Sequence, residues 1–472
     1  MNPDANRFAA ATRSFEAVWL RLRGLHFQTI LSASQAMFAV GGYFVVMRYV
    51  VALEGLEGVG IWSLTMGYVA IARLMDFSGV GGLARLISMH GSDSQKKSEV
   101  IDTFSIFVSG LYCLLCSLGY ILLKPVLMSS VGLDDRLIVG ELFGWAMISL
   151  PISVLGAAQL SSIDGVNRAD FRSIVNIIGT AIFVVAAYFL IDQYGLLGLA
   201  YAQVANYVFV LVVARIFLVK KLDSLRLLPS YFSIATAKEF LSYGFRLQVA
   251  SLPMGIFDPV IRIVLNQAVG LEYLGIYDLA YKLAGHTRAV IQAALTPVVP
   301  KFTHLYFHDQ VSVKPLFDQI NRNSVILTIT AYLCLILISP LLSLFLFSSL
   351  SPLFLVSVTA LSIGCAAATF CLTTQLLARA AGIFRWSITG QWLLVGLGTS
   401  FTYLSVFYLG KEWIAVGVAL AFAIGHLVAF QGEFRILGLY SKPTLKWHSN
   451  LGLISAFFAV AWGFLGMLAI FT

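Results

Sequence analysis

Apolar runs of about twenty residues, divided by short polar breaks, recur along the whole chain. At 1.5 Å per helical residue such a run crosses a hydrocarbon core of ~30 Å, so each one predicts a membrane-spanning helix. The pattern predicts thirteen spans, at 26–50, 58–88, 100–123, 138–163, 173–191, 195–218, 240–268, 273–300, 323–346, 351–378, 387–409, 413–434 and 450–471. The breaks are short even at their longest, 219–238, and hold no soluble domain. Function must therefore lie on the helices.

The breaks differ in charge. With the N-terminus inside, the segments on its side carry 20 Lys and Arg, against three (Lys124, Arg136 and Lys411) on the opposite side. Basic residues collect in cytoplasmic loops, so the N-terminus is expected to be cytoplasmic. Arg7, Arg13, Arg21 and Arg23, interleaved with Phe8, Phe15 and Trp19, predict an interfacial helix over 7–24 and not a cleaved signal.

The spans also repeat. "LEGVGIWSL" at 56–64 returns as "LEYLGIYDL" at 271–279, with an arginine nine residues beyond each copy, Arg73 and Arg288. Phe171-Arg172 matches Phe384-Arg385, and Gly198-Leu-Ala matches Gly417-Val-Ala, at similar offsets. An offset of six helices preserves orientation, which predicts parallel repeats with a site between them. The expected fold is an all-α polytopic membrane protein, with two pseudo-symmetric six-helix lobes around a central cavity and one extra C-terminal helix. Its divisions are an N-terminal segment (1–24), an N-lobe (25–219), a cytoplasmic linker (220–239), a C-lobe (240–437) and a C-terminal loop with the extra helix (438–472).

Composition reinforces this reading. The 472 residues are 59% hydrophobic and 11% charged, with mean hydropathy +0.87, where a soluble domain is ~25% charged. The net charge of +8 follows from the inside loops and gives no reason to expect nucleic acid. Cys113 and Cys116 form a C-x-x-C inside an apolar run without partner ligands, which predicts helix packing and no metal site.

Eight basic residues remain within spans. Arg85 and Arg215, near cytoplasmic ends, are expected to reach the headgroups, and Arg48, near an outer end, is open to the same reading. Arg73, Arg246, Arg262, Lys282 and Arg288 lie deeper. An arginine at such depth costs at least ~2.5 kcal/mol and faces a cavity or a partner. Arg73 and Arg288, one per lobe at one repeat position, are candidates to grip a central anion, with Arg48, Arg246, Arg262 and Lys282 completing the cationic set. Asp76, Asp258 and Asp278 stand three or four residues from Arg73, Arg262 and Lys282, spacings that put each pair on one helix face. Compensated ion pairs and ion-coupling sites are both open for these acids and for His286. Pro253, Gly255 and Pro259 interrupt the seventh span, which marks a hinge or a packing kink. His304 and His308 lack the acidic residue of a zinc-protease motif.

"GVGIWSLTMGYVAIARLMDFSGVGGLARLISMHG" and "YLGIYDLAYKLAGHTRAVIQAALTPVVPKF", with "DGVNRADFRS" and "YGLLGLAYAQV", resemble the O-antigen and polysaccharide flippase family of the multidrug/oligosaccharidyl-lipid/polysaccharide exporter superfamily. The likeness covers about residues 25–437 and rests on loose hydrophobic patterns. It implies a non-enzymatic transporter with no cofactor, driven by a proton or sodium gradient. The implied cargo is an oligosaccharide on a polyprenyl diphosphate, moved across a bacterial plasma membrane. Membrane lipids and a polysaccharide polymerase would be its partners. Thirteen spans depart from the twelve or fourteen usual in the family. A drug exporter of the same superfamily would prefer an acidic lumen, and a polymerase or ligase would need a larger outer loop.

Overall fold

The structure, a computed structural model, describes residues 3–73, 80–91, 93–295, 298–383 and 385–437, with short pieces between 454 and 463. Side chains are described from residue 31, with some gaps inside helices. Asp76, the side chains of Arg85, Arg246, His304 and His308, and those of the 1–24 segment lie outside the described residues. The described chain is built of α1 (Pro3–Arg73), α2 (Val80–Met89), α3 (Ser94–Ser129), α4 (Arg136–Gly165), α5 (Ala169–Tyr194) and α6 (Leu196–Lys221). There follow α7 (Ile234–Val269), α8 (Leu271–Leu295), α9 (Val299–His308), α10 (Gln310–Phe347), α11 (Pro352–Phe370), α12 (Leu372–Ala380), α13 (Arg385–Leu404) and α14 (Ile414–Ile436).

Ten helical stretches among the described residues are long and apolar enough to cross a membrane. Thirteen were expected, and the difference has three sources. The first two spans join without a loop inside α1, which turns at Gly55 (φ 71°, ψ −174°), a conformation glycine adopts without steric cost. The helix α8 falls short because Asp278, Lys282, His286 and Arg288 lower its hydropathy. The last span is described only in part, where Phe457 and Phe458 meet Phe370 edge-on at 6.0 and 6.1 Å.

The first half packs α1 and α4 against α5 and α6, with α3 beside α4; in the second half α11 and α14 pack together with α10 and α13 alongside. Between them α1 lies along α7 and α8. The repeated nine residues meet there. A Cβ at Gly60 would strike the Leu271 carbonyl, and one at Gly275 the Leu56 carbonyl. Leu56 and Leu271, like Gly60 and Gly275, stand 215 positions apart, so the contact is reciprocal, as a two-fold axis requires. One turn further, Ser63 faces Asp278, its own equivalent. Nearby, Arg48 donates to Ser348 Oγ at 2.8 Å and Asn266 to the Ser130 carbonyl at 2.7 Å. The halves therefore touch at the ends that the sequence assigns to the outside.

The segment joining the halves is fastened to the first. Arg215 does not reach outward as its position suggested: it is 6% exposed and pairs with Asp102 at 2.7 Å. It also donates to the Arg226 and Leu227 carbonyls, while Asp102 accepts from the Ser230 amide. A buried guanidinium needs these acceptors, and the linker backbone supplies them. Asp102→Ala should lower stability by about 3–5 kcal/mol, the usual cost of breaking a buried pair, read as a lower melting midpoint in detergent. Replacing both partners by leucine should recover only part of it, because two linker carbonyls still lose their donor.

Candidate functional site

Between the halves lies a cavity of about 510 Å³ lined by α1, α5, α6 and α8. The first half contributes Tyr43, Trp62, Phe183, Thr180, Gln203 and Asn206, and the second half Lys282 and His286. Gln203 and Asn206 are three apart on α6, so both side chains fall on one face; Gln203 is steadied by Tyr207 Oη at 2.8 Å. The aromatic rings offer apolar faces and the amides offer both donors and acceptors. One wall thus provides surfaces suited to sugars, and the other provides a cation.

The cation is held by a charge cluster at the join. Asp278, 1% exposed, bonds Arg262 at 3.0 Å and Lys282 at 2.7 Å, and Lys282 also donates to Tyr43 Oη at 2.7 Å. Two cations share this carboxylate, and Asp258 is a second carboxyl within electrostatic reach of both. The Asp278–Lys282 pair has its expected i,i+4 form, whereas the Asp258–Arg262 pair does not form. Arg262 reaches across to Asp278 on α8, and Asp258 accepts from Tyr281 Oη at 2.7 Å. The approach of α7 to α8 and α1, close enough for Gly67 to lie under the Arg262 side chain, offers Arg262 a more buried acceptor than its own helix does.

Arg73 and Arg288 occupy equivalent places, each inside its own half. Arg73 donates to Ser153 Oγ on α4 at 3.1 Å; Arg288 bonds His426 Nε2 on α14 at 3.2 Å. His426 Nδ1 lies 2.9 Å from the Phe422 carbonyl; an Nδ1–H donating there leaves Nε2 as the acceptor for arginine. Arg48 lies outside the cavity, in a mostly apolar recess of about 380 Å³ with Tyr49, Tyr188 and Phe345. Helix α7 runs unbroken through Pro253, Gly255 and Pro259, so they make no break in this conformation. Lys282 and His286 are the sequence candidates that line the cavity. The stacking and amide residues were not among them, although Gln203 and Asn206 as polar residues inside an apolar span were a readable signal.

The described chain is thus a multi-pass helical bundle with a half-open, mostly apolar cavity between its halves, into which Gln203, Asn206, Lys282 and His286 bring polar groups. The chain belongs to the polysaccharide biosynthesis protein family, which matches residues 28–306. Its fold is that of the MOP superfamily transporters. An inward-facing multidrug resistance MATE family transporter superposes with TM-score 0.71 at 16% identity, over 87% of this chain and 98% of that one. The outward-facing conformation of a MATE family transporter gives 0.64 at 16% identity, over 88% and 97%. A MOP superfamily transporter from Pyrococcus furiosus, whose binding pocket is described as of reverse polarity, also gives 0.64 at 16%, over 88% and 96%. No curated protein matches significantly.

Proposed function

We propose that this protein flips an oligosaccharide linked to a polyprenyl diphosphate from the cytoplasmic to the outer leaflet of a bacterial plasma membrane, for surface polysaccharide synthesis. The observation that carries the reading is the cavity between the halves, which sets Lys282 opposite rings and amides. The diphosphate needs a cation to leave the headgroup region, and the sugars need stacking surfaces and hydrogen bonds. The prenyl chain can stay in lipid beside the bundle.

The join of α1 with α8 at the outer ends supports a conformation that admits cargo from the cytoplasm, and the larger TM-score against the inward-facing relative is in keeping with that. Separation there, with closure at the other end, would release cargo outward. Arg73 and Arg288, fixed inside opposite halves by Ser153 and His426, are the residues that would engage the diphosphate as the halves move. Arginine binds phosphate oxygens through a planar fork that lysine lacks, so Arg288→Lys should transport less well than wild type, and Arg288→Ala should lose transport without losing insertion.

The deciding experiment locates lipid-linked sugar in cells lacking the protein, using a probe that reaches only the outer leaflet. Complete single units confined to the cytoplasmic leaflet are expected, with surface polymer lost. Single units accumulating on the outer leaflet would replace this reading with a polymerase or ligase. Unchanged polymer would replace it with a drug exporter.

A further inference from the structure

Glu433, in the last turn of α14, is the most thoroughly enclosed acid of the described residues that no ion pair explains. It is 0% exposed, and no cation pairs with its carboxyl, the Ser387 hydroxyl being the one hydrogen-bonding group directed at it among the described residues. The helix is pressed close there: a Cβ at Gly432 would fall inside the Trp386 indole of α13, and Phe434 packs against Phe317 at 6.4 Å. The polar groups facing the carboxyl are Ser387 of α13 and the Arg379 guanidinium of α12. Arg379 closes no ion pair with it, the described pairs being those of other residues.

The remaining neighbours are accounted for. Cys371, at the end of α11, donates to the Ala367 carbonyl. His426, two turns back on the same face of α14, is engaged by Arg288, and Arg379 feels both Arg288 and Glu433. The contact with α9 and α10 is apolar, through Phe302 and Phe317. A carboxylate buried without a pairing cation costs far more than protonating it.

We propose that Glu433 is a proton-binding site, occupied in this conformation and discharged when Arg379 closes on it. The acid is neutral while α12 and α14 hold their present spacing. A shift of α12 that brings the guanidinium within bonding distance favours the ionised form, and the proton passes to water admitted beside the exposed Arg379, since the guanidinium itself has no site to accept it. Proton and arginine then compete for one carboxyl, so each conformation selects one of them. This gives ion coupling a location away from Asp258, which accepts from Tyr281, and from Asp278, which is paired with Arg262 and Lys282. Only the link to movement of the halves rests on the transport reading above; the proton site does not.

The test uses the full protein in lipid nanodiscs. At neutral pH, infrared spectra should contain a protonated-carboxyl carbonyl band that Glu433→Gln loses; identical spectra in that region would overturn the site. Arg379→Ala removes the discharging group, so the band should persist to higher pH than in wild type, and an unchanged titration would overturn the role of Arg379. For the link to movement, spin labels replacing Leu133 and Leu350 in a cysteine-free background report the outer ends. The close-label population should fall as pH rises in wild type and stay constant in Glu433→Gln. An identical pH response in both would overturn the coupling while leaving the proton site and the transport reading standing.

Discussion

Gly60→Val and Gly275→Val variants are expected to insert normally and to abolish export of surface polysaccharide, the largest functional effect expected of any small substitution here. Each glycine lies against a backbone carbonyl of the other repeat, and backbone cannot move aside as a flexible side chain can. A branched side chain at either position forces the outer ends apart. The other contacts nearby, Arg48 to Ser348 and Asn266 to Ser130, would then lose their geometry as well. Gly→Ala should give an intermediate defect. Export is read as polymer on the cell surface, and outer-end separation as reactivity of a cysteine placed at Ser130 towards an impermeant thiol reagent. Normal export in both valine variants would show that the two copies need not close on each other.

The largest effect on stability is expected from Asp278→Ala. Its carboxylate is the shared partner of Arg262 and Lys282, and removing one member of a buried pair costs about 3–5 kcal/mol. Here two cations are stranded. Lys282 can turn towards the cavity it already lines, whereas Arg262 is enclosed between α7, α8 and α1. Most of the loss should therefore trace to Arg262, and Asp278→Ala combined with Arg262→Leu should melt well above Asp278→Ala alone. Equal melting midpoints for wild type and Asp278→Ala would mean that the triad does not stabilise the packing of α7 on α8.

The two predictions differ in how far the sequence foreshadowed them. The repeat was visible at Leu56 and Leu271, and the buried charges stood out because lysine, arginine and aspartate are costly in apolar runs. Periodicity along one helix, however, can propose only partners three or four residues away. It found Lys282 for Asp278 and missed Arg262, sixteen positions away on the preceding helix. It gave Arg215 a place among the headgroups, because Asp102 and the linker carbonyls lie on elements that only folding brings near.

Apolar length, the distribution of Lys and Arg, and the repeat by themselves determined a polytopic helical membrane protein with internal symmetry. These are properties of each segment against a bilayer, and of one segment against another copy, and they need no knowledge of packing. Tertiary structure alone decided that the two copies meet face to face, that Tyr43, Trp62, Gln203 and Asn206 share a cavity with Lys282, and that Glu433 is sealed without a pairing cation. Each of these depends on which helix lies opposite, and on whether a donor or cation across the gap comes within about 3 Å of a buried group.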